Sequence, residues 1–319
     1  MSKGALIGFG GRARELAAAA AKAGLELTAV CEPDRELAKA AAAALPGAAV
    51  YLSTGEFFSR CGGLSFALVN CRPEDRARTA LRVLENRLHA ACETPMCFSS
   101  SDFESLREKA AAGELSLFPL QPWERGSAWL AVMKALDGKL LGEPRYAGVK
   151  LLSSGPSPEG GVTAAFGWQA FSMLLALARR PPLAMSARLT PPPSEKAADS
   201  AASFQVHFGG VDGSVYLASG CHRDVSEISV IGSAGTLRLE GGTLNLDIKG
   251  LAPETAELRR GPDALAPAAA WLEAELADFA AETAKDAPRG AGLRNSRYCA
   301  RLLKNALYSA SLNSAAVPL

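Results

Sequence analysis

Up to Leu120 the chain alternates short apolar runs with stretches whose apolar positions recur every three or four residues. The runs are Ala5–Gly8, Leu27–Cys31, Leu64–Val69, His89–Cys92 and Leu115–Leu120. They lack polar alternation, as strands buried on both faces do. Between them Arg12–Ala23, Arg35–Leu45, Glu74–Asn86 and Asp102–Ala112 read as helices. Strands separated by helices of this length predict βαβ units and a parallel, doubly wound sheet.

The pattern changes after Gln121. A helix near Ser127–Leu136 precedes a strand entered through GEPRYAGVKLL, and a second helix is expected over Val162–Ala178. From Ala184 to Ile248 the chain reads as strands: AMSARLT, SFQVHF, SVYLAS, EISVIG, GTLRLE and TLNLDI. Turn signals at Gly209-Gly210, Asp212-Gly213 and Gly241-Gly242 separate several of them. Consecutive strands with tight turns predict a largely antiparallel sheet. PPPSEKAADS (191–200) is expected to be the most mobile loop. Helices over Pro267–Ala284 and Gly292–Ala310 close the chain. The expected fold is therefore α/β: a domain over 1–121, then a domain over 122–319 with an open sheet. The last helix (292–310) is expected to pack back towards the first domain.

Composition narrows the function classes. Lys and Arg number 34 against 33 Asp and Glu, so charge selects neither nucleic acid nor an anionic membrane as partner. The Ala-rich runs are too short to span a bilayer and the N-terminal residues enter a strand directly, which predicts a cytoplasmic protein. The seven cysteines contain no CxxC pair, and the three histidines are scattered. No metal site is expected.

Gly8-Phe9-Gly10-Gly11-Arg12-Ala13 fits G-x-G-x-x-A between a strand and a helix. The first Gly permits the turn, the second admits a pyrophosphate to the backbone, and the small third residue lets helix pack on strand. The helix N-terminus offers free N–H groups to phosphate. Glu32 ends the second run, about 20 positions beyond Gly10, where an acid accepts hydrogen bonds from an adenosine ribose. A carboxylate there favours NAD, while Arg12 and Arg35 keep NADP open.

Further segments resemble the Gfo/Idh/MocA oxidoreductases over nearly the whole chain. Asn70-Cys71-Arg72-Pro73 stands where that family has A-T-P-P, and Cys92-Glu93-Thr94-Pro95 where it has C-E-K-P. GKLLGEPRY, GGVTAAFGWQAFSM and VIGSAGTLRLE match its domain-entry turn, its second-domain helix and a hairpin of its open sheet. The resemblance implies an N-terminal Rossmann domain, a C-terminal α/β domain whose sheet forms a homo-oligomer face, and NAD(P)-dependent chemistry on sugars and related alcohols. It also implies cofactor contacts from Cys71, Arg72, Pro73 and Glu93.

The proton-transfer positions depart from that pattern. Thr94 stands for the family's Lys, Ala165 for its first Asp, Gln169 for its His and Ser172 for its second Asp. None of these side chains accepts a proton near neutral pH unaided. Trp123, Arg125, Trp168 and Gln169 are the candidates facing a small-molecule ligand: Arg125 for a carboxylate or phosphate, or else for an ion pair, and Trp168 for stacking or for filling space. Two readings follow. In one, the sugar or polyol dehydrogenase site is degenerate and the protein binds a ligand or serves a regulatory or partner role. In the other, it is an NAD(P)H-dependent reductase of a small organic substrate using non-standard proton donors.

Overall fold

A computed structural model describes residues 2–192, 198–258 and 269–319. Part of the loop expected at 191–200 and the start of the helix expected at Pro267 thus lie outside the described residues. By contacts the chain forms two units: one runs to Pro122 and takes up the later segment ending at Arg297, while the other begins at Trp123 and includes Tyr298–Leu319.

The first unit follows the βα alternation. β1 (Ser2–Ile7), α1 (Ala13–Lys22), β2 (Leu25–Cys31), α2 (Arg35–Ala44), β3 (Ala49–Tyr51), α3 (Thr54–Arg60), β4 (Phe66–Val69), α4 (Pro73–Glu85), β5 (His89–Glu93), α5 (Ser100–Gly113) and β6 (Leu117–Leu120) succeed one another. The strands are parallel in the order β3-β2-β1-β4-β5-β6. That order reverses direction between β1 and β4, so the crevice for a ligand lies at their carboxyl ends. β3 and α3 have no counterpart in the sequence reading, because a three-residue strand carries too little periodicity to register.

α8 (Ala269–Thr283) completes this unit. Its Leu272, Leu276 and Phe279 recur at helical spacing and are fully buried. Phe279 packs edge-on against Phe66 at 5.9 Å and tilted against Phe118 at 5.7 Å. The returning segment of the first unit is therefore α8, and the final helix, α9 (Ser296–Ser311), runs mostly in the second unit.

In the second unit a short 3-10 turn (Pro122–Arg125) leads into α6 (Ser127–Asp137), β7 (Pro144–Leu152) and α7 (Gly161–Ala178). Then come β8 (Ala184–Thr190), β9 (Ala201–His207), β10 (Asp212–Ala218), β11 (Val225–Gly232), β12 (Gly235–Glu240), β13 (Thr243–Ile248) and β14 (Glu254–Glu257), with β15 (Val317–Pro318) at the C-terminus. The nine strands lie in the order β14-β13-β12-β11-β7-β10-β9-β8-β15. All pairs are antiparallel except β7 with β10. Asp212-Gly213 opens β10 instead of forming a turn; the β9–β10 connection is Gly209-Gly210.

Val206, Phe208, Val215, Leu217, Ile228 and Val230 are all buried. Register explains why: Val215 lies opposite Phe204 and Val149, and Val149 opposite Ile228. They therefore share the face that α7 covers, where Phe171 meets Phe204 at 5.0 Å. The other face is polar, with Lys150 on Glu227 at 2.8 Å and Arg238 3.5 Å from the same carboxylate. By length and composition α7 could cross a membrane, but most of its surface is buried within the protein.

Candidate dinucleotide site

The chain leaves β1 through Gly8, whose φ of +93° suits glycine. A Cβ there would lie 2.6 Å from the Cys71 backbone nitrogen, so β1 and the turn after β4 approach as closely as they do only without a side chain. Gly10 differs: a Cβ on it would meet nothing nearer than Leu37 Cδ1 at 3.9 Å. The space before Gly10 is open, as a pyrophosphate requires. Ala13, 1% exposed, begins α1 and packs against the sheet.

Two side chains hold this loop. Glu32 is buried; one carboxylate oxygen accepts the Phe9 N–H at 2.6 Å and the other the Asp34 N–H at 2.8 Å. A carboxylate has about four acceptor positions, so two remain for a ribose. Asn70 Nδ2 donates to the carbonyl oxygens of Gly10 at 2.9 Å and Gly8 at 3.3 Å. Asn70 was legible only as part of a turn; its bracing role depends on β1 and β4 being neighbours. Phe9 itself points into the core and contributes its backbone, while Gly11 stands in open space.

A cavity of about 780 Å³ opens beside the loop, lined by Gly8, Gly10, Glu32, Asp34, Cys71 and Arg72 among others. Leu37, Leu52 and Phe58 also line it, with the Arg82 guanidinium 4.4 Å over the Phe58 ring. Arg82 also donates to Thr54 Oγ1 at 3.1 Å. These apolar and cationic side chains come from α2, α3, α4 and the link between β3 and α3, and sequence reasoning missed Phe58 because α3 was missed. Arg72 is exposed and paired with Glu74 and Asp75. Pro73 starts α4, and Cys71 is half-buried with its thiol pushed up by burial. Arg12 and Arg35, the arginines considered for a 2′-phosphate, are not among the residues lining the cavity.

Arg12 occupies the N-cap position of α1 without capping it through its side chain. Its Nε donates to Glu15 at 3.0 Å and Nη1 lies 3.8 Å from Glu93 Oε1. Arg12 Nη2 and Glu93 Oε1 are buried with no hydrogen-bond partner. Burial raises the Glu93 carboxyl above its ordinary range, while Arg12 and Arg76 pull it down. Arg76 is held by the carbonyl oxygens of Cys71 at 2.9 Å and Pro95 at 3.3 Å. Polar atoms left without partners beside a phosphate-binding loop suit a bound polar group. The residues of the first unit thus fit a dinucleotide.

The remaining candidates separate by unit. Thr94, in the first, donates its hydroxyl to Leu120 O at 3.3 Å. Ala165, Gln169 and Ser172 lie on one face of α7 in the second, with Ser172 2% exposed. Trp168 is 1% exposed and fills core space. Trp123, 2% exposed, stacks edge-on against Trp129 at 5.3 Å. Glu124 and Arg125 are both exposed at the residue level; protein packed around the Glu124 carboxyl pushes it up to about 7, against the pull of Arg125. His207, exposed at the C-terminal end of β9, pairs with Asp212 at 2.8 Å.

Residues 3–119 match the model of an oxidoreductase family with the NAD-binding Rossmann fold. No curated protein is significantly similar in sequence. Among solved structures, an oxidoreductase from Agrobacterium radiobacter in complex with NAD+, L-tartaric acid and magnesium is 18% identical, with a TM-score of 0.83 over 99% of this chain and 98% of that one. An oxidoreductase domain protein from Kribbella flavida is 17% identical, with a TM-score of 0.83 over 100% and 99%. A levoglucosan dehydrogenase in complex with NADH and levoglucosan is 14% identical, with a TM-score of 0.83 over 100% and 99%. At these identities the likeness is one of fold, and it extends over both units.

Proposed function

We propose, for a chain whose residues 3–119 belong to the NAD-binding Gfo/Idh/MocA oxidoreductase family, that the protein binds NAD(H) and a sugar-like ligand while its alcohol-oxidising machinery has lapsed. It then works as a ligand-binding, regulatory or partner protein. One observation carries this reading: Thr94, Ala165, Gln169 and Ser172 supply no side chain that accepts a proton near neutral pH. Thr94 is already committed to a carbonyl and Ser172 is buried. NAD is favoured over NADP because Glu32 and Asp34 both line the ribose end of the cavity and repel a 2′-phosphate. The similarity to a levoglucosan dehydrogenase suggests a polyhydroxylated ligand. Seven free thiols accord with a cytoplasmic protein.

Calorimetry with NAD, NADH, NADP and NADPH is expected to give binding with the NAD pair. The bound protein is expected to leave levoglucosan and other polyols unoxidised. General acid–base groups contribute about 10²–10⁴-fold, so T94K/A165D/Q169H together is expected to raise any trace rate. Robust alcohol turnover by the unmodified protein overturns the reading.

A second reading rests on Glu124. A carboxyl whose pKa is raised from its ordinary value by the protein around it is suited to donating a proton to a small C=N or C=C acceptor while a hydride is delivered from bound NAD(P)H. A screen for NADH or NADPH oxidation across such acceptors tests it. Activity that falls sharply in Glu124→Gln supports the reductase, and no turnover with any acceptor removes it.

A further inference from the structure

We propose that the first unit carries a second ligand site, for a small organic anion with a carboxylate or phosphate head on a short apolar body. The site is a cavity of about 520 Å³ formed where the last turn of α5 and the lead into β6 meet residues 289–294. That volume falls within the range of small-molecule pockets. None of its lining residues lines the cavity beside the glycine loop.

Its composition divides in two. Ala110 and Leu117 are buried, with Leu115 and Leu293 half-buried beside them, and these form an apolar floor. Arg107, Arg289 and Arg294 stand around it. Arg107 is matched by Glu104 at 2.7 Å and Glu108 at 3.8 Å. Glu104 is further occupied by Arg297 at 2.8 Å.

The other two arginines are not matched in this way. Arg289 Nε is buried and makes no hydrogen bond. Among the described residues Arg294 has no carboxylate within ion-pair distance. Two further acids are near: Glu114 also lines the cavity, and Glu282 accepts the Gly290 N–H at 2.9 Å. Burial raises the Glu282 carboxyl, with Arg289 acting in the opposite sense. His89 lies close enough to feel Arg289: burial first, then Arg289 and Lys285, lower its pKa.

An unsatisfied buried donor is costly, more so when charged. The planar guanidinium fork fits a carboxylate or phosphate, which would satisfy it. At this carbonyl end of α5, which by itself disfavours an anion, Ala110 O and Ala111 O are taken by the N–H groups of Leu115 and Glu114, and the arginines supply the attraction. The apolar floor adds a preference for an organic body over a bare inorganic ion.

Titration of the full chain with benzoate, phenyl phosphate and inorganic phosphate, followed by calorimetry or protein NMR, tests the site. Saturable binding of benzoate or phenyl phosphate is expected, tighter than that of inorganic phosphate. Whichever aromatic anion binds more tightly identifies the head group. Arg289→Met and Arg294→Met are each expected to weaken it by roughly tenfold, with NADH binding unchanged. Arg294 is exposed, so its variant keeps the test valid should Arg289→Met fail to fold. The proposal is overturned if neither aromatic anion binds saturably. It is equally overturned if both variants bind as the parent does, or if inorganic phosphate binds as tightly as phenyl phosphate. NADH binding in the same samples reports separately on the glycine-loop site.

Discussion

Glu32 and Gly10 divide the work of the dinucleotide loop between shape and space. Glu32 fixes the loop through two backbone N–H groups, and Gly10 leaves the volume in front of it free. Gly10→Val is therefore expected to abolish the NADH heat in calorimetry while leaving the melting temperature nearly unchanged, since the added side chain enters open space. Glu124 gives a pH prediction. Its folded value, about 7, lies above the ordinary 4.5, so the folded chain holds this proton where the unfolded chain has lost it. Its contribution to stability is full below the ordinary value and is lost as pH rises through about 7. Urea unfolding at about pH 5 and about pH 8 is expected to show a decline for the parent that is smaller in Glu124→Gln. Glycine loops carry a spacing and so could be read from sequence. A shifted carboxyl is made by whatever surrounds it, so Glu124 and Glu93 gave no advance signal of theirs.

At the scale of elements, α7 shows why helix starts are harder to read than helix bodies. Its apolar run was plain in the sequence, but its cap is Asp199, far along the chain. The buried Asp199 carboxylate accepts the Thr163 N–H at 3.1 Å and its hydroxyl at 2.6 Å. Gly161, at φ +87°, admits it, since a Cβ there would collide with the carboxylate. Asp199→Ala is expected to destabilise the protein by about 1–2 kcal/mol, as lost helix caps do, read from the urea midpoint at constant m-value. Asp199→Asn, which keeps an acceptor, is expected to cost less. β7 to β13 were legible one by one from their alternation, whereas β14 and β15, four and two residues long, carry too little pattern to register. Their neighbours were not: nothing in PRYAGVKLL announces that β7 pairs parallel with β10.

The whole chain was legible as two blocks. The returning α8 was not assigned to the first, because Leu272, Leu276 and Phe279 name an apolar face without naming its partner. The polar outer face of the second sheet bears on assembly. We expect self-association through it, held by charged groups such as Lys150, Glu227 and Arg238. Light scattering is expected to report an oligomer at micromolar concentration that weakens with added salt and with Lys150→Glu. A monomer at low salt refutes this expectation. The place of β7 has a consequence for the order in which the sheet assembles. β8, β9 and β10 make one meander and β11, β12, β13 and β14 another, and each can form from sequence neighbours alone. β7 leaves the ribosome before either, yet its seat lies between β10 and β11. The first strand synthesised is thus the last that local pairing can place. Until it docks, each meander presents a raw edge, the kind of surface on which another chain can add.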